Sequence, residues 1–223
     1  MINVLLVDDQ DLVREGLRMI INADPELAVV GEARNGVEAI ASARELDPDV
    51  VLMDIRMPDL DGIEATRHLV AAQTRARILM LTTFDLDEYV YRAMKAGATG
   101  FLLKDASREQ LTSAIRTAAS GEAMLAPAVT RRLIEEFCKR PPLAGAAPPL
   151  PQLSQRERDV LLLVARGMSN AEIAQELFLG ETTVKSHLAR IFTKLGLRDR
   201  VQAVVLAYET GLVRPNDIGT SQR

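Results

Sequence analysis

The sequence predicts an α/β domain built on a parallel sheet, followed by a separate small helical domain. Three observations carry this. Short apolar runs alternate five times with amphipathic helical patterns over residues 1–120, which implies a parallel sheet covered on both faces. Residues 141–151, PPLAGAAPPLP, place five prolines in eleven uncharged positions and break regular structure. After that stretch come four helical patterns at short spacing. The predicted domains are therefore 1–120 and 153–223, joined by a helix and a Pro-rich linker over 121–152.

The first domain opens with an apolar strand over 2–7 that ends at Asp8-Asp9. Residues 11–23 follow as a helix, with Leu12, Val13, Leu17, Ile20 and Ile21 as its apolar face. A second strand covers 27–31 and a second, Ala-rich helix 36–46. Pro48 restarts the chain, and 50–53 is a continuous apolar run, the pattern of a strand buried on both faces. It stops at Asp54, ahead of Pro58 and a turn signal, Asp61-Gly62. A third helix covers 64–72, a fourth strand 77–82, a fourth helix 87–96 and a fifth strand 100–103. Ser107 caps a fifth helix running to about residue 120. This is a (βα)5 unit, and its expected sheet order is 2-1-3-4-5, the flavodoxin-like arrangement, with a switch point between strands 1 and 3.

Residues 127–140 read as a further helix, with Val129, Leu133, Ile134 and Phe137 at helical spacing. The second domain is predicted as helices over 155–166, 170–177, 182–195 and 200–209. Ser154 with Glu157 forms a capping box, Gly167 stops the first helix, and 178–181 make a tight turn between the second and third. A short helix, a turn and a longer helix form a helix-turn-helix candidate.

Bulk composition narrows the class. Of 223 residues, 48% are hydrophobic and 26% charged, the balance of a soluble globular protein. One cysteine, Cys138, excludes an intramolecular disulfide framework. No signal peptide pattern and no apolar run near ~20 residues are present, so the expectation is a cytoplasmic protein without a membrane span. The net charge of −4 is uneven: residues 1–120 carry 20 acidic against 13 basic side chains, and residues 153–223 carry 10 basic against 8 acidic. Two domains of opposite sign suit different partners.

The predicted order brings Asp8, Asp9 and Asp54 into one crevice at the C-terminal ends of strands 1 and 3, where open α/β sheets bind ligands. Three carboxylates together need a cation, and oxygen-only ligands in an open site favour Mg²⁺. Asp54 is then a candidate nucleophile that accepts a phosphoryl group. Phosphoryl transfer depends mostly on positioning and on neutralising charge. A fixed cation and a hydroxyl are available from Lys104, which follows strand 5, and Thr82, which ends strand 4. A lysine beside Asp54 is expected to hold it ionised.

Asp8-Asp9, Asp54 with Met57-Pro58, Thr82-Thr83 and Gly100-Phe101-Leu102-Leu103-Lys104 resemble the receiver domain of bacterial response regulators. Each is ordinary alone, and the combination in this order is specific. The resemblance implies that Asp54 is the phosphoacceptor. It also implies that Asp9, Asp54 and the backbone carbonyl of Arg56 bind Mg²⁺ directly, with Asp8 acting through water. Thr82 and Lys104 would sense the phosphoryl group, and Phe101 would change rotamer with Thr82. Asp105 stands where many receivers have proline, as is common in the subfamily this chain resembles.

Residues 153–161, 167–174, 182–188 and 194–197 resemble the LuxR-type helix-turn-helix domain. With the receiver, the resemblance is to the NarL/FixJ subfamily, which implies a sensor histidine kinase and double-stranded promoter DNA as partners. In the third helix Val184, Leu188, Ile191 and Leu195 form the seating stripe. Thr182, Thr183, Lys185, Ser186, Ala189, Arg190 and Lys194 lie on the other faces. Such a helix enters the major groove by its polar N-terminus. Lys185 is the candidate base or phosphate contact, and Ser169, Asn170 and Lys194 are candidate backbone contacts. His187 either touches phosphate or packs. Some members carry a basic residue where this chain has Ala189. A mildly basic monomer binds DNA weakly, so a homodimer is expected when the protein is phosphorylated or DNA-bound. Val201, Val204 and Val205 are the candidate dimer contact.

Two other readings are available. An aspartyl-phosphate enzyme usually carries a second acid two residues after its nucleophile, where this chain has Arg56, so a dedicated enzyme is not expected. A DNA binder that no longer uses phosphate is the other, and the full set of acids in the pocket speaks against it.

Overall fold

The computed structural model describes residues 1–82, 87–120 and 152–213, the side chains at 87 and 88 excepted. The predicted helix over 127–140 and the linker lie outside the described residues. Contacts divide the chain into two compact units, Met1–Leu125 and Ala126–Arg223.

The first unit alternates strand and helix: β1 Ile2–Val7, α1 Asp11–Asn22, β2 Leu27–Ala33, α2 Gly36–Leu46, β3 Val50–Asp54, α3 Gly62–Ala71, β4 Arg77–Thr82, α4 Asp87–Ala96, β5 Gly100–Leu103 and α5 Arg108–Ala119. The sheet order is β2-β1-β3-β4-β5 with every pair parallel, as expected from the βα alternation. β3 is central and all its residues are buried. The pairing of β1 with β2 shifts between Val4 and Leu5, which face Val29 and Gly31 and leave Val30 as the extra residue of a bulge. β2 accordingly runs two residues beyond its predicted end.

One face of the sheet packs Val4, Leu6, Val50, Leu52, Leu79 and Leu81 against Ile21 of α1 and Leu111, Ala114, Ile115 and Ala118 of α5. Leu12, predicted on the inner face of α1, is 83% exposed. It precedes Ile21 by nine residues, which at about 100° each is half a turn, so the two cannot share a face. The inward position near that end of α1 is taken by Arg14, which is buried.

The second unit contains α6 Gln155–Ala165, α7 Asn170–Glu176, α8 Glu181–Leu195 and α9 Arg200–Glu209. α6 packs on α9 and α8, and α7 packs on α8. The capping box of Ser154 with Glu157 is present, and a second one joins Ser169 to Glu172 at the start of α7. Gly167 takes a left-handed backbone with φ +83, which lets the chain turn after α6. Val201, Val204 and Val205 are 0%, 1% and 4% exposed. They lie inside the chain and offer no surface to a second copy, so the expectation that they form a dimer contact is corrected. Among the described residues no helix is long and apolar enough to cross a membrane.

Candidate functional site

The acidic crevice forms where β1 and β3 end side by side. Val7 pairs with Met53, which sets Asp8 and Asp54 at adjacent strand ends. Carboxylate oxygens of Asp8, Asp9 and Asp54 lie within 4.8 Å of one another. Asp8 and Asp54 are buried and Asp9 is exposed. A cavity of about 250 Å³ opens over them, lined by Asp9, Gln10, Asp54, Ile55, Arg56, Thr82 and Lys104.

Local hydrogen bonds fix the acids. The Asp54 carboxylate accepts from its neighbour's N–H, Ile55 N to Asp54 Oδ1 at 2.8 Å. Asp8 Oδ1 accepts from the Gln10 N–H at 3.0 Å. Beneath the loop, Arg14 donates to the Asp8 carbonyl oxygen at 2.8 Å and to Glu32 Oε2 at 3.3 Å, and it also pairs with Asp11. The sequence does not announce Arg14. Its signal is an arginine on the inner face of an amphipathic helix one turn after the acids.

The Asp61-Gly62 pair does more than turn the chain. Asp61 caps α3 by accepting from the Glu64 N–H at 2.8 Å. Gly62 begins the helix against the back of the nucleophile, and a Cβ there would lie 1.9 Å from the Asp54 carbonyl oxygen. α3 therefore starts two residues earlier than predicted, and only glycine permits its approach.

Lys104 bridges two of the acids. Its Nζ lies 2.9 Å from Asp54 Oδ2 and 2.7 Å from Asp8 Oδ2. Its N–H donates to the Thr82 carbonyl oxygen at 2.8 Å, which ties the end of β5 to the end of β4. Burial pulls the Lys104 ammonium down, but the bonds to Asp8 and Asp54 outweigh it and leave Lys104 above its ordinary range. Burial also raises the Asp54 carboxyl; Lys104 opposes that rise, the Asp8 charge adds to it, and the balance stays above the ordinary carboxylate value. Lys104 favours the ionised form of Asp54 as expected, but desolvation is the larger effect. Phe101 is buried on β5 opposite Met80 and is not among the residues lining the cavity. Thr83 lies outside the described residues.

In the second unit Val184, Leu188 and Ile191 are buried along α8, and Leu195 is half-buried. Thr182, Thr183, Lys185, Ser186 and Arg190 are exposed, and His187 is half-buried. Lys194 points elsewhere: its Nζ lies 2.7 Å from the buried Glu157 Oε2. That bond, with the Ser154 N–H, lowers the Glu157 carboxyl to about 2. The Ser169 side chain accepts from the Glu172 N–H at 3.2 Å. Asn170 Oδ1 accepts from Arg200 at 3.0 Å, and Arg200 also donates to the Met168 carbonyl oxygen. Burial lowers the Arg200 guanidinium to about 10. Ser169, Asn170 and Lys194, the residues expected to touch DNA backbone, thus each make a bond within the helical unit.

Residues 4–116 match the model of the response regulator receiver domain, and residues 151–207 match the bacterial regulatory proteins of the luxR family. This chain is a two-component response regulator. The transcriptional regulatory protein YxjL of Bacillus subtilis is 44% identical over 213 residues, 96% of this chain and 98% of that one. The response regulator protein VraR of Staphylococcus aureus is 39% identical over 213 residues, 96% of this chain and 99% of that one. The crystal structure of the response regulator ChrA, from a haem-sensing two-component system, is 38% identical and covers 95% of this chain and 98% of its own, with a TM-score of 0.53. The regulator is thus a DNA-binding transcription factor of the NarL/FixJ type, in a family of regulators rather than of dedicated enzymes.

Proposed function

We propose that Asp54 is the phosphoacceptor of this regulator and that its acyl phosphate switches DNA binding by the helix-turn-helix unit. The observation that supports this best is the Lys104 ammonium set between Asp54 and Asp8 at the ends of three parallel strands. A carboxylate oxygen of Asp54 attacks the phosphorus of a kinase phosphohistidine, the P–N bond breaks, and the imidazole leaves. Lys104 and the Thr82 hydroxyl are the groups of this chain placed to receive the phosphoryl oxygens, and Phe101 follows Thr82. The donor set is all oxygen and its atoms are close enough to share one ion, which fits Mg²⁺. Asp9, Asp54 and the Arg56 carbonyl would hold it, with Asp8 through water, and it would supply neutralisation of the phosphoryl charge.

The DNA face of the second unit is the exposed face of α8, with Thr182, Thr183, Lys185 and Ser186 in its N-terminal half, Arg190 beyond them and His187 at its margin. Two copies on neighbouring half-sites would add their phosphate contacts, so the active form is a homodimer on promoter DNA. The partner that loads Asp54 is a sensor histidine kinase, and the place where kinase, protein and chromosome meet is the cytoplasm.

The test is intact mass after incubation with acetyl phosphate and Mg²⁺, for wild type and Asp54→Asn, followed by size exclusion and promoter binding. The expected result is one added phosphoryl group in wild type alone, with a shift to dimer and tighter DNA binding. No added mass in wild type, with DNA binding retained, overturns the proposal in favour of a phosphate-independent regulator.

A further inference from the structure

Arg56 stands two residues after Asp54 and lines the cavity over it, yet its guanidinium is turned to α4. It lies over the ring of Tyr89, 5.2 Å from the centroid. A second guanidinium, that of Arg92 one helical turn further on, is 5.9 Å from the same centroid. The ring face attracts each cation, while the two like charges repel one another. Arg56 is therefore held at the mouth of the site by a weak contact that a stronger acceptor nearby can displace.

We infer that Tyr89 is a resting place for the Arg56 side chain, and that phosphorylation of Asp54 draws the guanidinium from the ring onto the phosphoryl oxygens, where it shields the acyl phosphate from water. The inference rests on Asp54 being the phosphoacceptor. A phosphoryl dianion offers charge-assisted hydrogen bonds, which outweigh an exposed cation–π contact, and guanidinium geometry suits phosphate. In hydrolysis the oxygen of a water molecule bonds to phosphorus, the P–O bond to Asp54 breaks, Asp54 regains its carboxylate, and the water proton passes to solvent with release of inorganic phosphate. A guanidinium laid over the phosphoryl group occupies the solvent side from which that water must come. Tyr89 competes for the same guanidinium, so it acts as a positioning residue that sets how long the signal lasts. Departure of Arg56 also removes one of the two cations from the first turns of α4, so the same movement reports the phosphoryl group to that helix.

The experiment charges the full chain with acetyl phosphate and Mg²⁺, removes the donor, and follows decay of the added mass on the fraction that charged. The variants are Arg56→Met, Tyr89→Leu, Tyr89→Phe and the double variant Arg56→Met/Tyr89→Leu. Arg56→Met is expected to shorten the lifetime by about three- to tenfold, and Tyr89→Leu to lengthen it by about two- to fivefold, the scale of one ordinary hydrogen bond gained or lost. Tyr89→Phe keeps the ring and is expected to decay as wild type does. The decisive comparison is the double variant, which should decay like Arg56→Met, because Tyr89 has nothing to hold once the guanidinium is gone. If Tyr89→Leu changes the lifetime equally with and without Arg56, or if Arg56→Met charges and decays as wild type does, the inference falls while the phosphoacceptor assignment stands. If wild type gains no mass, both fall together.

Discussion

Lys104 Nζ lies 2.9 Å from Asp54 Oδ2, although 50 residues separate them in the chain. The contact exists because parallel strand order carries the ends of β3, β4 and β5 to one edge of the sheet. It does not make Asp54 an easy charge to hold. Burial is the largest influence on Asp54 and raises its carboxyl, with the Asp8 charge acting in the same direction.

A stability effect follows with a definite sign. Asp54 has a folded value above its unfolded one, so its ionisation opposes folding, and that penalty builds as pH rises through the ordinary carboxylate range and is complete above the folded value. Asp54→Asn mimics the protonated form. It should melt higher than wild type at pH 7, and the difference should shrink as pH is lowered toward 3.8, the ordinary aspartate value. Paired thermal melts across that range check it; a variant less stable than wild type at neutral pH would contradict the assignment of desolvation as the dominant effect.

Gly62 is the tightest steric constraint on the nucleophile. Adding a single methyl at this position places a carbon 1.9 Å from the Asp54 carbonyl oxygen, a backbone atom that no side-chain rotation can move away. Gly62→Ala should destabilise the first unit by roughly 1–3 kcal/mol or more, the range for overpacking that forces backbone to shift. It should also slow charging by acetyl phosphate, because β3 and α3 must part. Urea unfolding and the intact-mass assay measure the two effects, and normal charging in a stable Gly62→Ala protein would show that the approach is not needed.

Much of this was legible from residues alone, and the misses share a cause. Strand order, the convergence of Asp8, Asp9 and Asp54, the helix cap at Ser107 and the capping box at Ser154 follow from periodicity and cap chemistry, which are local. Arg14, Gly62 and the Lys194–Glu157 pair were not foreseen, because each acts on a group from another element and depends on packing. Val201, Val204 and Val205 look like a free apolar edge in sequence. In the fold α6 and α8 pack on that helix.

Acid should loosen the helical unit through Glu157. Its carboxyl sits at about 2, first because of Lys194 and then because of the Ser154 N–H, against an ordinary value of 4.5. A depressed carboxylate contributes stability that is present above its unfolded value and is lost as pH falls toward the folded one. The loss is therefore expected between roughly pH 4.5 and 2. The contribution is of order 1–2 kcal/mol once the partly exposed Lys194 is discounted for solvent screening. Glu157→Gln should show this loss already at pH 7 and a flatter response to acid, read by circular dichroism during acid titration of the full chain.

The proposed DNA face includes Lys185, whereas Lys194 of the same helix is bonded to Glu157. Lys185 is exposed on the N-terminal half of α8, the part of the helix that enters the groove in this mode of binding. Lys194 lies nine residues further on, with its ammonium 2.7 Å from Glu157. Lys185→Ala should weaken promoter binding by about tenfold and reduce the slope of log affinity against log salt by about one if the contact is to phosphate. Lys194→Met leaves Glu157 buried without its cation, so it should lower stability at neutral pH and flatten the response to acid as Glu157→Gln does, while the salt slope of DNA binding is kept. Promoter titrations at three salt concentrations, run beside thermal melts of both variants, measure this crossing. A loss of salt slope in Lys194→Met equal to that in Lys185→Ala would return Lys194 to the DNA face and make its bond to Glu157 secondary.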